Sequence, residues 1–407
     1  MIATAPLPSP PASVGDTTVA ALLAQARQIA ADAAAGAAAI DREDAFPVRE
    51  FAALGASGLL GAPLSRLLGG LGLGTARGGM EALLHILTTL GWGNLSLARL
   101  YEGHVNALGL IQTFGTPDQA RRLARDAVGQ HIFAVWNTEG ADGIRLIPIG
   151  GDRYRLEGAK TFASGAGHVT RPLLTGALPD GGWQMVVPAM EHAGGAIDTA
   201  SWRPLGMRAS ASYTIDLSGF EIGPDALIGA PGDYYRQPWF SGGAIRFAAA
   251  QLGGAIALLD ATRAELHALG RAADPFQRSR VGEAAIATQS GMQWLRAAAS
   301  MAERSPLGGA YVATVPDDEM VAFANMTRTA IERICLDVLE IAERAIGARA
   351  LLQPHPIERI GRDLTLYLRQ PAPDATLLNV GEHVLRSSRS TLDAWSPDGV
   401  ADGAADA

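Results

Sequence analysis

The chain has 407 residues, of which 48% are hydrophobic and only 18% charged, with a formal net charge of -8. That acidic balance, with Lys and Arg scattered rather than clustered, excludes a nucleic-acid binder or a polybasic membrane-surface protein. The length allows two or three domains and a substantial core, and a positive mean hydropathy of +0.12 implies apolar surface buried between subunits.

Residues 1–15 are rich in Pro, Ser and Ala and predict a disordered segment. They carry neither a basic n-region nor an apolar h-region, so no secretory signal is expected. From Thr17 to about Ile40 an Ala-rich run predicts a long helix with Asp16 as its N-cap. Helical periodicity continues through "MEALLHILTTLG", "SLARLYEGHVNALGLIQTFG" and "PDQARRLARDAVG", giving an N-terminal helical domain over 16–130. The Gly-rich stretch 69–79 has no preceding strand, lacks the third glycine spacing of a dinucleotide fingerprint, and reads as a turn between helices.

At His131 the texture changes. Short β-rich runs separated by turn residues predict a middle antiparallel, β-barrel-like domain over 131–225. Helix returns and dominates a C-terminal four-helix bundle over 226–392, followed by a flexible tail over 393–407. The Ala/Leu-rich run Ala248–Leu259, interrupted by Gln251, is too short to span a bilayer. Cys335, the only cysteine, excludes an intrachain disulfide and sits in an amphipathic helix as a small core residue. A cytoplasmic location is expected, and the fold class is α+β, mainly α. Near the end, "YLRQPAPDATL" breaks a helix, because Pro371 and Pro373 each lack an N–H and clash with the preceding turn.

Few residues present chemistry. The eight histidines show no metal-ligand spacing, and neither a P-loop nor a nucleophile elbow is present. His104 reads as a hydrogen-bonded core histidine. Glu102, on the same helix, is costly to bury alone, so it lies either on a solvated face or in a polar pocket. In "GAKTFASGAG" a strand delivers Phe162 and Ser164 into a Gly-rich turn, which suits a flat heterocycle or an ordinary strand end with a buried Phe. In "VWNTEG", Trp136 and Thr138 are expected on one face by strand alternation.

Through "FAVWNTEGAD", "GAKTFASGAG", "LGMRASAS" and "PIERIGRD", over nearly its whole length, the chain resembles the acyl-CoA dehydrogenase superfamily of FAD-dependent oxidoreductases. The resemblance implies the helical–β–helical plan of that fold and an FAD site. Trp136, Asn137 and Thr138 would lie against the flavin pyrimidine, with Phe162, Ala163 and Ser164 at the isoalloxazine. Arg271 and Phe276 would reach the FAD of a neighbouring subunit in a homodimer or homotetramer. Glu102 falls near the closed end of the acyl pocket.

The departures from the family are specific. The loop "TEGADG" is shortened, and Arg344 stands where a Gln is expected near the adenine end of FAD. Aligning "RDLTLYLRQPAPD" on Arg362, Asp363 and Tyr367 puts Pro371 at the position of the usual catalytic Glu, and a proline cannot abstract a proton. Asp374 is the substitute base or, more simply, an N-cap. The family's commonest chemistry implies an FAD-dependent dehydrogenase acting on an acyl-CoA or carrier-bound acyl group, with an electron-transfer flavoprotein as redox partner. The alternatives are a monooxygenase of the same fold, which takes reduced flavin from a flavin reductase and needs no Glu base, and a non-catalytic flavin-binding scaffold.

Overall fold

Among the described residues helices lie to either side of a central run of strands, following the change of periodicity at His131. The computed structural model describes residues 18–42, 45–192, 195–309, 312–391 and 395. The segment 1–15, the capping role of Asp16, and the tail 393–407 apart from Trp395 lie outside the described residues.

The first helical block comprises α1 (Val19–Arg42), α2 (Val48–Ala56), α3 (Gly79–Gly93), α4 (Leu95–Phe114) and α5 (Pro117–Val128). Local sequence sets several of its ends. The Asn94 side chain accepts from the Leu97 N–H and starts α4. Thr116 and Gln119 form a reciprocal capping box, with Pro117 in the first turn, and start α5.

The strands are β1 (Phe133–Trp136), β2 (Arg145–Gly150), β3 (Arg153–Glu157), β4 (Ala159–Ala163) and β5 (Arg171–Ala177), then β6 (Trp183–Val186), β7 (Ala196–Asp198), β8 (Tyr213–Asp216), β9 (Glu221–Ile222) and β10 (Leu227–Ile228). Seven of them form one sheet in the order β10-β6-β5-β2-β3-β9, with β1 also paired to β5. That sheet is mixed rather than purely antiparallel: β1 runs parallel to β5, placing Trp136 opposite Leu174. A parallel pair needs a long crossover, here supplied by β2 to β4. The remaining three strands form an antiparallel sheet, β4-β8-β7. Its register shifts between Lys160 and Ala163, and Phe162 there takes a φ of 51°. Such a bulge re-aims a side chain.

The C-terminal helices are the single turn α6 (Trp239–Gly242), then α7 (Ala244–Ala268), α8 (Pro275–Glu303), α9 (Asp317–Ile346), α10 (Pro356–Tyr367) and α11 (Pro373–Arg386). The Ala/Gly character of α7 has a packing cause. It crosses α3 so closely that a Cβ on Gly91 would stand 2.2 Å from the Ala250 carbonyl oxygen, and one on Gly253 2.2 Å from that of Thr88. The span Trp239–Ala268 is long and apolar enough to cross a membrane, yet 83% of its most apolar window is buried inside the protein, as in a core helix.

All three parts of the chain meet at Arg362 and Asp363. Arg362 pairs with Asp41 of α1 at 2.8 Å and with Glu358 at 2.6 Å, and donates to the Leu205 carbonyl at 2.9 Å. The buried Asp363 accepts the Met207 N–H at 2.5 Å. Gly206 lies against this turn of α10, where a Cβ would stand 2.3 Å from the Arg362 carbonyl carbon. Replacing Arg362 leaves two nearly buried carboxylates without a cation. Arg362→Met should therefore lower the unfolding free energy by about 3 kcal/mol. The exposed Arg386→Met should change it by no more than about 0.5 kcal/mol. Denaturant unfolding of both variants beside the parent checks the contrast.

Candidate functional site

A cavity of about 490 Å³ opens where the three parts meet, and residues from every part line it. Phe162, raised by its bulge, is 51% exposed and meets Trp202 edge-on at 5.8 Å. Behind it Ser164 begins a chain of hydroxyls. Its Oγ lies 2.9 Å from Ser212 Oγ, which lies 2.8 Å from Ser210 Oγ. Both partners come from "LGMRASAS", the loop that Asp363 holds at Met207. An apolar ring face beside a polar hydroxyl edge fits a flat heterocycle such as isoalloxazine.

Trp136 is buried and does not line the cavity. Its Nε1 donates to the Ser164 carbonyl at 3.0 Å, so it fixes the turn from behind. Thr138 does line the cavity. The expectation that Trp136 and Thr138 share a face fails because β1 ends at Trp136 and alternation ends with it. Asn137 lines the cavity too, held by Thr175 Oγ1 donating to its Oδ1 at 2.8 Å. Buried Lys160 supports this corner, donating to the Asn137 carbonyl at 3.2 Å and pairing with Glu139 at 3.3 Å. Burial lowers the Lys160 pKa, against the opposing pull of Glu139. Ala163 is buried as the spacer between Phe162 and Ser164.

Of the two readings of Glu102, the pocket holds. Its side chain is fully buried and lines the cavity. Arg99 approaches at 3.2 Å and Arg246 at 3.4 Å, and Arg246 also donates to Asn106 Oδ1 at 2.8 Å. Burial raises the Glu102 pKa, and both guanidinium groups work against that rise. Sequence reasoning missed the two arginines. Helical spacing was an available signal for Arg99, which lies three residues before Glu102, and there was none for Arg246.

His104 is a core histidine. Its Nε2 lies 2.8 Å from the Leu60 carbonyl and its Nδ1 accepts the Phe133 N–H at 3.1 Å. The ring is therefore the neutral Nε2–H tautomer bridging α4 to β1. Cys335 is likewise buried core, and burial raises its thiol pKa.

At the helix break, Tyr367, Gln370 and Pro371 line the cavity. Pro371 thus stands at the wall where the resemblance puts a base. Asp374 does not replace it. It lies exposed in the first turn of α11, outside the lining, and the capping position belongs to Ala372. An acidic residue in a first turn favours the helix dipole. Two buried side chains close the break. Gln251 donates through Nε2 to the Tyr367 carbonyl at 3.0 Å and to the Gln370 carbonyl at 2.9 Å. Arg328 donates to the Leu368 carbonyl at 2.6 Å. Arg271 and Phe276 stand apart from this cavity, between α7 and the first turn of α8. Arg271 donates to the Ala345 carbonyl at 3.4 Å, and Phe276 is 74% exposed. Arg344 is exposed and pairs with Glu340 at 3.2 Å.

The neutral ring of His104 has a pH signature. Burial lowers its pKa from 6.5 to about 4. The unfolded chain therefore binds the proton first, and the stabilisation present above pH 6.5 is lost as pH falls toward 4. Relative to His104→Gln, the parent should lose about 2 kcal/mol between pH 7 and pH 4.5. Denaturant unfolding of both proteins at the two pH values measures this.

Residues 17–129 match the family described as acyl-CoA dehydrogenase, N-terminal domain, and residues 245–368 match acyl-CoA dehydrogenase, C-terminal domain. The dibenzothiophene monooxygenase of Mycolicibacterium goodii is 24% identical over 87% of this chain and 89% of its own. The short-chain-specific acyl-CoA dehydrogenase of Clostridium acetobutylicum is 25% identical over 80% of this chain and 86% of its own. Among solved structures, TdsC from Paenibacillus sp. A11-2, in its complex with FMN and indole, superposes with a TM-score of 0.80 at 21% identity, covering 92% of this chain and 99% of that one. By both family matches and its fold, the chain belongs to the acyl-CoA dehydrogenase superfamily.

Proposed function

We propose that this protein is a monooxygenase that receives reduced flavin, as FMN, from a separate flavin reductase and oxygenates a small molecule held in the same cavity. The observation that carries this reading is the wall at Tyr367, Gln370 and Pro371, which has no carboxylate. Glu102 is the one carboxylate among the described residues that line the cavity, and two guanidinium groups occupy it. A dehydrogenase needs an unencumbered carboxylate within reach of a substrate α-proton; oxygenation does not.

Bound reduced flavin supplies activated dioxygen. The chain's own residues do the rest. Phe162 offers a ring face, and the Ser164–Ser212–Ser210 chain offers donors at a fixed edge. Asn137 and Thr138 line the same cavity, and Phe240, Phe247 and Met207 add apolar surface to it. FMN is favoured over the FAD that the resemblance implies. Arg344, on the surface and paired with Glu340, stands in place of the Gln expected near the adenine end. The dibenzothiophene monooxygenases and the FMN complex of TdsC are consistent with both choices. Exposed apolar side chains at Phe276, Leu378 and Leu385 support a homo-oligomer.

Incubation with FMN, NADH, a flavin reductase and isotopically labelled dioxygen should place one labelled oxygen atom in an aromatic acceptor such as indole. Omission of the reductase should abolish it. Acyl-CoAs of several chain lengths should leave the flavin of the loaded protein unbleached under anaerobic conditions; bleaching by any thioester restores the dehydrogenase reading. The double variant Phe162→Ala, Ser164→Ala should weaken FMN binding by about tenfold or more while far-UV circular dichroism stays unchanged. Unaltered FMN affinity would remove these residues from the ring site.

A further inference from the structure

We infer that the end of the cavity formed by α4 and α7 is an anion subsite, in which Arg99 and Arg246 receive the carboxylate of a small aromatic acid whose ring packs on Phe247 and Phe240. As a statement about the oxygenated substrate it rests on the function proposed above; as a statement about binding it stands alone.

Charge is the first argument. The side chains of Arg99, Arg246 and Glu102 are 15%, 8% and 0% exposed, so two guanidinium groups face one carboxylate within a nearly dry wall. A purely structural ion cluster at such burial is expected to balance, because each uncompensated buried charge is costly. Here one positive charge is left over.

The hydrogen-bond geometry is the second argument. Arg99 spends only Nη1 on Glu102, and Arg246 spends Nε and Nη2 on Glu102 and Asn106. Arg99 Nε and Nη2 and Arg246 Nη1 have no partner among the described residues. The Arg99 guanidinium lies over the Phe247 ring, 5.1 Å from its centroid, which fixes its plane. Glycine makes room for both groups. A Cβ on Gly243 would stand 2.8 Å from Arg246 Nη2, and one on Gly103 3.1 Å from Arg99 Nη1.

The third argument is a buried hydroxyl. Tyr367 lines the same cavity and is 1% exposed, yet its Oη has no hydrogen-bond partner. Buried hydroxyls without partners are rare. A carboxylate seated between the guanidinium groups accepts from Tyr367 as well as from the arginines, and a charge-assisted pair of this kind is the strong form of such a bond.

The test is equilibrium binding by calorimetry, with no turnover, on the protein with and without FMN. Benzoate is the probe; benzamide and indole are its neutral counterparts. Benzoate should bind more tightly than benzamide. Arg99→Gln should weaken benzoate by about tenfold, with partial recovery in Arg99→Lys, and leave indole within about twofold. Tyr367→Phe should also weaken benzoate selectively. Glu102→Gln should act in the opposite direction and tighten benzoate, because it removes the competing carboxylate; a cluster that merely holds the fold together would not reverse sign. Near-UV circular dichroism confirms that each variant is folded. Equal affinity for benzoate and benzamide in the parent overturns the proposal. So does an Arg99→Gln loss shared equally by benzoate and indole, or one that falls on FMN instead, which would assign the positive charge to the flavin phosphate. Failure of labelled-oxygen incorporation with intact benzoate selectivity would count against the oxygenase reading and leave the subsite standing.

Discussion

The contact between Arg362–Asp363 and the loop at Gly206–Met207 is the constraint on which the site depends. Met207 and Ala211 both adopt left-handed φ values, 58° and 45°, which non-glycine residues reach only at a cost. The loop keeps this course because Asp363 accepts the Met207 N–H and Arg362 accepts no alternative position, being held by Asp41, Glu358 and the Leu205 carbonyl. Ser210 and Ser212 follow directly in the chain, and their meeting with Ser164 is a consequence of that course. A polar node between domains thus becomes the spacing of hydroxyls in a cavity. The node is itself mostly buried, so its charges are meaningful only as a complete set.

What the sequence disclosed follows the range of the interactions involved. That Phe162, Ser164, Asn137 and Thr138 line one cavity was legible because they sit at strand ends within a few residues, where pattern and turn residues specify the geometry. The mixed sheet was not, since the pairing of β1 with β5 joins segments separated by a whole hairpin and carries no local signature. Glu102 was legible as a choice between surface and pocket. Its resolution needed Arg246, which is 144 residues away in sequence and looks like any other arginine on an apolar helix. Gln251 was read as an interruption of an apolar run, whereas it is the amide that ties α7 to the helix break. Asp374 misled for a local reason: a first-turn acid and an N-cap look alike in sequence, and Ala372 takes the cap position without a side-chain bond.

The departures from the superfamily pattern make physical sense as a group. Pro371 leaves that part of the wall without an acid–base group, Arg344 stands where the resemblance expects an amide, and Arg99 and Arg246 bring positive charge to the cavity. Phe162, Ser164 and the hydroxyl chain stay in place beside them. A scaffold that had merely lost function would have no reason to keep guanidinium groups desolvated on glycine clearances, because a degenerate pocket relaxes toward apolar packing or toward solvent.

The helix break gives the final step. Breaking a helix leaves carbonyls without their helical partners, and in this wall the Leu368 and Gln370 carbonyls accept from Arg328 and Gln251 of the neighbouring helices, with Gln251 donating to the Tyr367 carbonyl as well. Both side chains are fully buried. The break is therefore a braced wall without a carboxylate of its own, at the place where the resemblance puts a base. Hydroxyls at Ser164, Ser210, Ser212 and Tyr367 line this cavity beside the paired Glu102, and a hydroxyl donates and accepts without changing charge. Under the proposed function, a cavity of fixed donors without a free base suits the steering of a reactive oxygen and an anionic substrate better than the abstraction of a proton from a carbon acid.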